Sequence, residues 1–439
     1  MRAGQTLSDY VELVSDEGNP RRPNIYSLLE CTTLPESLAE RFECGGERKF
    51  LYPLVFDTML NVPGILKTLK DPVVAAVQDG RGVIVLDDSC EGPPLAENAV
   101  TQIATIAREL NFPPDALVII NHNMDYGRWM DGWAARHGAG LHRPLSVYYH
   151  SWVVSVTEML AGLRRKDTQL IGPMFPDPDS LEQHIERQLG ARIGDRAAGN
   201  KQFLAMNFAA RTHRILLMLD LIDRDILSRG EVSFGGVGRK LSPATVEAQR
   251  EELAYFFQWS RLKRHWDALT AMGPLTLPGG DRPHDPSGGS LILDFDFEAH
   301  RRTAFSVVTE SDFTARGLRR ITEKSLKPLI GLHPFITIGL PGTLRTLRQL
   351  GFKTFDGLIN EDYDAAFDAE IRFELATQEI HRLATMDRRA TDLFLYEAAP
   401  ALIHNARHVV FGLPAVLRET MVLPALEALE GITRKPAAL

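Results

Sequence analysis

Between Phe305 and Asp364 the polar residues fall in a pattern that packing alone does not require. Glu310 follows a β-branched run, Phe305–Thr309, and Thr322, Glu323, Lys324 and Lys327 follow within one short stretch. Thr322 stands before the helical spacing of Leu326, Leu329 and Ile330, so it suits an N-cap. Glu323 then falls in the first turn, where the helix dipole favours a negative charge. An upstream cluster has the same character: Asn207, Arg211, His213 and Arg214 sit between an apolar run, Phe203–Met206, and a helical pattern at Ile215, Leu216, Leu219 and Ile222. Two arginines at a helix start can hold phosphate oxygens bidentately. A basic crevice lined by helix N-termini is the chemistry of a nucleotide diphosphate. The plain alternative is a solvated helix start, with Glu323 and Lys327 as an ordinary i,i+4 surface pair worth a few tenths of a kcal/mol.

These residues need elements that bring them to one place, and an α/β pattern supplies them. The central stretch reads as strand, loop, helix, strand (Phe335–Ile338), a turn over Gly339–Gly342, and a further helix. In such units ligands gather beyond the carboxyl ends of the strands. Earlier in the chain, strands are expected at Phe50–Phe56, Val83–Leu86, Leu117–Ile120 and Leu145–Tyr149. Helices are expected at Glu97–Leu110, Arg128–His137 and Trp152–Leu163. Repeated alternation of this kind implies a parallel sheet with crossover helices. Pro173–Pro178 and the polar stretch through Asn200 read as a connection between domains, and Gly273–Gly289 as a Gly/Pro-rich loop. Leu291–Phe297 alternates like a strand, Phe367–Met386 is amphipathic and helical, and Thr391–Leu429 adds helices. The expected division is an N-terminal extension (1–49), two Rossmann-like domains (50–195 and 196–385) and C-terminal helices (386–439).

The words VTE, TEKSLKP, HPF, LRQLGFKTF and EDYD resemble a family of bacterial and phage-encoded glycosyltransferases. In its TEK segment that family is similar to the α-1,3-fucosyltransferases. A second block, KQFLAMNFAARTHRILLMLDL followed by GEVSF, agrees with it, although Phe208 stands where the family commonly has Arg. The two blocks cover about a third of the chain. The resemblance implies a GT-B-like α/β fold, two Rossmann-like domains facing a cleft, with the C-terminal helices crossing back to the first. It implies metal-independent transfer of a sugar from a nucleotide-sugar, a GDP-sugar favoured, to a glycan, lipid-linked or protein acceptor. Lys324 would stabilise the leaving diphosphate, helped by Arg211 and Arg214. Glu323 would hold ribose hydroxyls or orient the lysine, and Glu310 would contact the donor sugar or ribose. Asn207, Thr322, Lys327, His333 and Tyr363 complete the donor set, with Glu361 at the cleft edge. An acceptor-side base would come from the first domain, where Glu91, His122 and Asp125 lie at strand ends. The rival readings are a degenerate protein that binds a nucleotide or glycan without turnover, and an epimerase-like enzyme acting on a free nucleotide-sugar.

Composition bounds the remaining classes. The chain has 439 residues, 44% hydrophobic and 24% charged, enough for two substantial domains. A formal charge of -8 argues against a general nucleic-acid binder. Cys31, Cys44 and Cys90 share no metal-ligand spacing and fit a reducing cytosol. No cofactor or metal is expected. Asp294 and Asp296 match a DxD pair by letter but lie in the expected strand, and no P-loop, HExxH or GxSxG word occurs. The acidic N-terminus is unlike a signal peptide, and no apolar run is expected to reach membrane-spanning length. A cytoplasmic location follows as the expectation, with peripheral membrane contact left open. The apolar face of Ala415–Leu429 suits core packing.

Overall fold

The computed structural model describes residues 37, 39, 50–55, 62–67, 69–89, 97–137, 140–149, 178–194, 200–207, 209–237, 243–277, 297–314 and 317–433. The chain folds as two compact units. Unit 1 comprises Met1–Ser155, Ala315–Arg320 and Ala415–Leu439; unit 2 comprises Val156–Thr314 and Ile321–Pro414. Among the described residues, each contains one four-stranded, wholly parallel sheet flanked by helices.

The sheet of unit 1 runs in the order β1 (Phe50–Val55), β2 (Gly82–Asp88), β3 (Leu117–Asn121), β4 (Leu145–Tyr148). Every residue of β2 and β3 is buried, as expected of near-continuous aliphatic runs covered on both faces. Helix α1 (Glu97–Glu109) buries Val100, Ile103, Ala104, Ile106 and Ala107, one stripe at helical spacing. Helix α2 (Tyr126–His137) buries Tyr126, Met130 and Trp133. Trp133 Nε1 donates to Thr101 Oγ1 at 2.9 Å, which ties the two helices together.

The sheet of unit 2 has the order β6 (Gly230–Phe234), β5 (Phe203–Asn207), β7 (Phe305–Thr309), β8 (Phe335–Ile338). From β5 the chain steps outward to β6, then returns to place β7 on the other side of β5. The strand order therefore reverses between β5 and β7. Such a reversal opens a crevice outside the carboxyl ends of those two strands, because the connections leave it on opposite sides. Four helices matter to that edge: α4 (Thr212–Asp223) after β5, α5 (Glu323–Ile330) after β7, α6 (Thr343–Gln349) after β8, and α7 (Ala369–Ala384) beyond it.

Two expectations need correction, and one strand has no counterpart among the expected elements. The polar stretch after Pro178 is no bare linker: helix α3 (Pro178–Gly194) occupies it, and Leu181, Ile185 and Leu189 supply a buried stripe four residues apart. Within unit 2, α3 packs against α8 (Arg388–Arg407), where Glu182 pairs with Arg407. Gly230–Phe234 is a strand, although its glycine, glutamate and serine hide the β pattern. Finally, the helical run Arg388–Ile432 is long and apolar enough by composition to cross a membrane, with mean hydropathy 1.6 in its most apolar window. Part of that run is core: Leu413, Leu417, Met421, Leu426 and Leu429 are buried, the use expected of Ala415–Leu429. The expected helix Trp152–Leu163, the strand Leu291–Phe297 up to Asp296, and Gly273–Gly289 beyond Leu277 lie outside the described residues, as do Glu91, Phe208, Asp294, Asp296 and the three cysteines.

Gly230 pairs with Phe203 across β5 and β6, and a Cβ at Gly230 would overlap the fully buried Phe203 ring. The ring has no room to move, so Gly230→Ala should lower stability by about 1–3 kcal/mol, measured by denaturant unfolding. Gly357→Ala is no comparable control because Gly357 has a positive φ of 86°, whereas Gly190 has open space and should tolerate alanine at about 0.5 kcal/mol or better.

Candidate functional site

At the carboxyl edge of unit 2 the organising group is Glu310, the residue after β7, buried to 3% exposure. Its Oε1 accepts from Thr322 N at 3.2 Å and from Ser325 Oγ at 2.6 Å. Its Oε2 accepts from the Thr322 hydroxyl and from Ser311 N at 3.3 Å. A buried carboxylate needs such donors, since nothing else replaces its water shell. The result is a brace on the start of α5, where Thr322 Oγ1 in turn accepts from Lys324 N as the N-cap. Both carboxylate oxygens of Glu310 are thus engaged by the protein itself.

The cations gather around that brace. Lys324 Nζ lies 2.5 Å from Glu323 Oε1 and donates to Ser311 Oγ at 3.3 Å, and its side chain is 27% exposed. Arg211 donates to the carbonyl of the same Ser311. Arg214, behind them, donates to Ala209 O and Thr309 O, each at 3.2 Å. Its Nε is buried with no hydrogen-bond partner among the described residues. Asn207, at the end of β5, accepts from Thr309 Oγ1 at 2.5 Å, and its Nδ2 is likewise buried with no partner. Burial pulls Arg214 down to about 10, assisted by the Arg211 charge, so it stays a cation at neutral pH. Burial pushes the Glu323 carboxyl up, but Lys324 and Lys327 outweigh it and hold the group below its ordinary range.

The three helix starts along this edge are treated differently. Glu310 and Thr322 serve α5. At α6, Leu344 N and Arg345 N donate to the Asp364 carboxylate at 2.8 and 3.0 Å, and Gly342 N donates to Asp364 O at 2.7 Å. Helix α4 begins after Arg211 with no side-chain cap. Its first amides and dipole are therefore the ones left to attract an anion, next to the unpartnered Asn207 and Arg214 donors.

Two donor-site candidates lie elsewhere. His333 is fully buried near the amino ends of β7 and β8, with Nδ1 2.8 Å from Ser306 Oγ and Nε2 2.6 Å from His300 O. Tyr363 is packed inside, and its hydroxyl accepts from Thr337 N at 3.4 Å. Glu361 accepts from Phe355 N at 2.7 Å and Thr354 Oγ1 at 2.9 Å, and pairs with Arg348. Lys327 follows one turn after Glu323 and acts on it electrostatically.

Unit 1 has its own polar edge at the ends of β2 and β3. Asp88 pairs in register with Asn121, whose Nδ2 donates to Asp88 Oδ2 at 2.6 Å. His122 and Asp125 are engaged by residues 317–320, which belong to the same unit. Asn123 acts as the clasp: Nδ2 donates to Gly317 O at 2.9 Å and Oδ1 accepts from Arg319 N at 2.8 Å. Met124 N donates to Arg319 O at 2.8 Å, and Asp125 pairs with Arg319 at 3.0 Å. Arg320 donates to His122 Nε2, while His122 Nδ1 lies 3.0 Å from Asp88 O. An arginine only donates, so the ring proton belongs on Nδ1 and the lone pair on Nε2.

Sequence reading missed Asn123, Asp364 and Arg372. Arg372 donates to Gly339 O at 2.8 Å, Ala366 O at 2.6 Å and Phe313 O at 2.5 Å, and lies over the Phe313 ring at 4.8 Å. A lone arginine in an amphipathic helix gives no sequence signal for such a role. Among the described residues, no group of three His, Cys, Asp or Glu is placed to hold a metal ion. No protein-family model, curated protein or solved structure matches the chain.

Two outcomes follow for this edge. Glu310→Ala strands the donors of Thr322, Ser325 and Ser311 and should destabilise the fold by about 3 kcal/mol, read by denaturant melts. His213 Nε2 donates to Glu310 O at 2.9 Å, and burial, with Arg214 beside it, lowers the imidazole from 6.5 to about 3. The unfolded chain then takes up this proton before the folded one does. Stability is full above pH 6.5 and declines as pH falls towards 3, by up to about 1.4 kcal/mol per unit. The difference between wild type and His213→Gln across that window isolates the effect.

Proposed function

We propose that the chain is a GT-B-like glycosyltransferase: unit 2 holds a nucleotide-sugar, with a GDP-sugar favoured, and unit 1 serves the acceptor. The observation that carries this reading is the pair of buried, unpartnered donors, Asn207 Nδ2 and Arg214 Nε, beside the uncapped start of α4. They lie where the strand order reverses, with Arg211 and Lys324 on the same edge. Orphaned buried donors cost about 1–3 kcal/mol each, and an anion's oxygens would recover that. Two donors, two further cations and a helix start fit a diphosphate better than a single carboxylate.

In this reading the anomeric carbon–oxygen bond breaks with its electron pair passing to the diphosphate. A new bond forms to the acceptor hydroxyl oxygen, and the hydroxyl proton leaves to a base. Negative charge grows on the leaving group, so cations already in place bind the transition state more tightly than the ground state. Arg214 and Asn207, being buried and fixed, do most of the positioning, and Lys324 follows the developing charge. Glu323 keeps Lys324 oriented. No metal is required by this scheme.

One observation favours a binding-only reading: His122 and Asp125 are both occupied by arginines of the 317–320 segment. Hydrolysis or transfer with a nucleotide-sugar panel separates the two readings, because only the enzyme releases nucleoside diphosphate.

Thermal unfolding with GDP, UDP, CMP and their sugars is the direct assay, since a ligand bound only to the folded state raises its stability. One nucleoside diphosphate should raise Tm, and Lys324→Ala should weaken its binding by about tenfold while leaving the unliganded Tm near wild type. If none of the nucleotides shifts the melt, the proposal fails.

A further inference from the structure

Helix Pro243–Leu253 ends in the turn 254–258, whose residues face opposite ways. Phe256 goes inward and stacks on Phe313, with ring centroids 6.2 Å apart. Tyr255 and Phe257 stay outside, at 83% and 54% exposure. The turn is pinned to the start of α7: Phe257 N donates to Glu370 Oε2 at 3.0 Å, and Gln258 Nε2 to Glu370 O at 2.9 Å. Phe367, 86% exposed, stands just before that helix start, and Ile371 is exposed within its first turn. Its backbone is also held, because Arg372 Nη1 donates to Phe367 O at 3.1 Å and to Ala366 O at 2.6 Å. Large rings are thus displayed on a rigid backbone, where ordering them on binding costs little entropy.

The charges flanking these rings are mostly acidic, and the exposed Arg250 one turn earlier is paired with Glu247 at 3.9 Å. Glu251, Glu252 and Asp368 are exposed, Glu370 is half-buried, and the cation beneath, Arg372, is buried and spent on carbonyls. An anionic lipid surface, a nucleic acid or a second copy of this face would meet like charge, which disfavours association. A neutral sugar ring suits both features. Its C–H face packs on an aromatic ring, and its hydroxyls donate to carboxylates.

We propose that Tyr255, Phe257 and Phe367 form a binding site for a neutral oligosaccharide on unit 2, built from none of the residues of the cation cluster. The inference rests on the sugar-transfer reading for its ligand class alone. Its physical basis is the exposed aromatic rim and the carboxylates around it.

The full-length protein is titrated with neutral gluco-, manno-, galacto- and fucosylated oligosaccharides, followed by saturation-transfer NMR and calorimetry. Vesicles of phosphatidylglycerol and a sedimentation run provide the competing arms. At least one oligosaccharide should bind; Tyr255→Ala and Phe367→Ala should each weaken it by about tenfold, whereas Tyr255→Phe should bind as wild type. The variants should keep the wild-type melt and the wild-type nucleotide response, so the test of the donor site stands apart. The proposal is overturned if no neutral oligosaccharide binds, if binding survives the Tyr255→Ala/Phe367→Ala double variant, or if the rim directs vesicle binding or self-association instead.

Discussion

The carboxylate of Glu310 is the constraint from which the rest of unit 2's edge follows. Sealed from water at the end of β7, it takes donors from Ser311, Thr322 and Ser325, and so fixes where α5 begins. Once α5 is set there, Lys324 emerges from its first turn towards Ser311, which also meets Arg211. The backbone carbonyl of Glu310 serves His213. A single buried negative charge thus anchors an array of positive ones. Nothing in this needs a ligand to hold it, and preorganisation of that kind is what gives a cation cluster its effect on a developing anion.

Topology decides which helix start remains open. With the order β6-β5-β7-β8, the reversal falls between β5 and β7, and the helices after β5, β7 and β8 all begin along the same edge. The protein fills two of those starts with its own side chains, Glu310 with Thr322 at α5 and Asp364 at α6. The start of α4 has no side-chain cap, and Arg214 and Asn207 keep unpartnered donors beside it. These unmet buried donors, beside an uncapped helix start, are the basis of the proposed diphosphate reading.

Much of this architecture was legible in the chain because strands and caps are local. The aliphatic runs of β2, β3, β5, β7 and β8 stand between polar turns, and the cap at Thr322 needs only its neighbours. Strand β6 was not legible, because GEVSF sets only two apolar residues, Val232 and Phe234, among Gly, Glu and Ser and is a strand through its partner β5. Helix α3 was hidden by its polar composition, although Leu181, Ile185 and Leu189 had the spacing. Side-chain roles were harder still. Glu310 carries the expectation of a ligand contact; its bracing of α5 through donors twelve and fifteen residues away has no local pattern to announce it. The Asn123 clasp joins residues 194 and 196 positions apart, beyond any local pattern.

The most direct test of the diphosphate account watches one atom. In a protein labelled with nitrogen-15 in arginine, the Nε–H of buried Arg214 exchanges slowly enough to observe as its own resonance, assigned with Arg214→Lys. On titration with the nucleoside diphosphate that raises Tm, this resonance should move saturably, together with a side-chain amide signal from Asn207. A resonance that stays fixed while the nucleotide binds and perturbs other signals would place the diphosphate elsewhere and contradict the account.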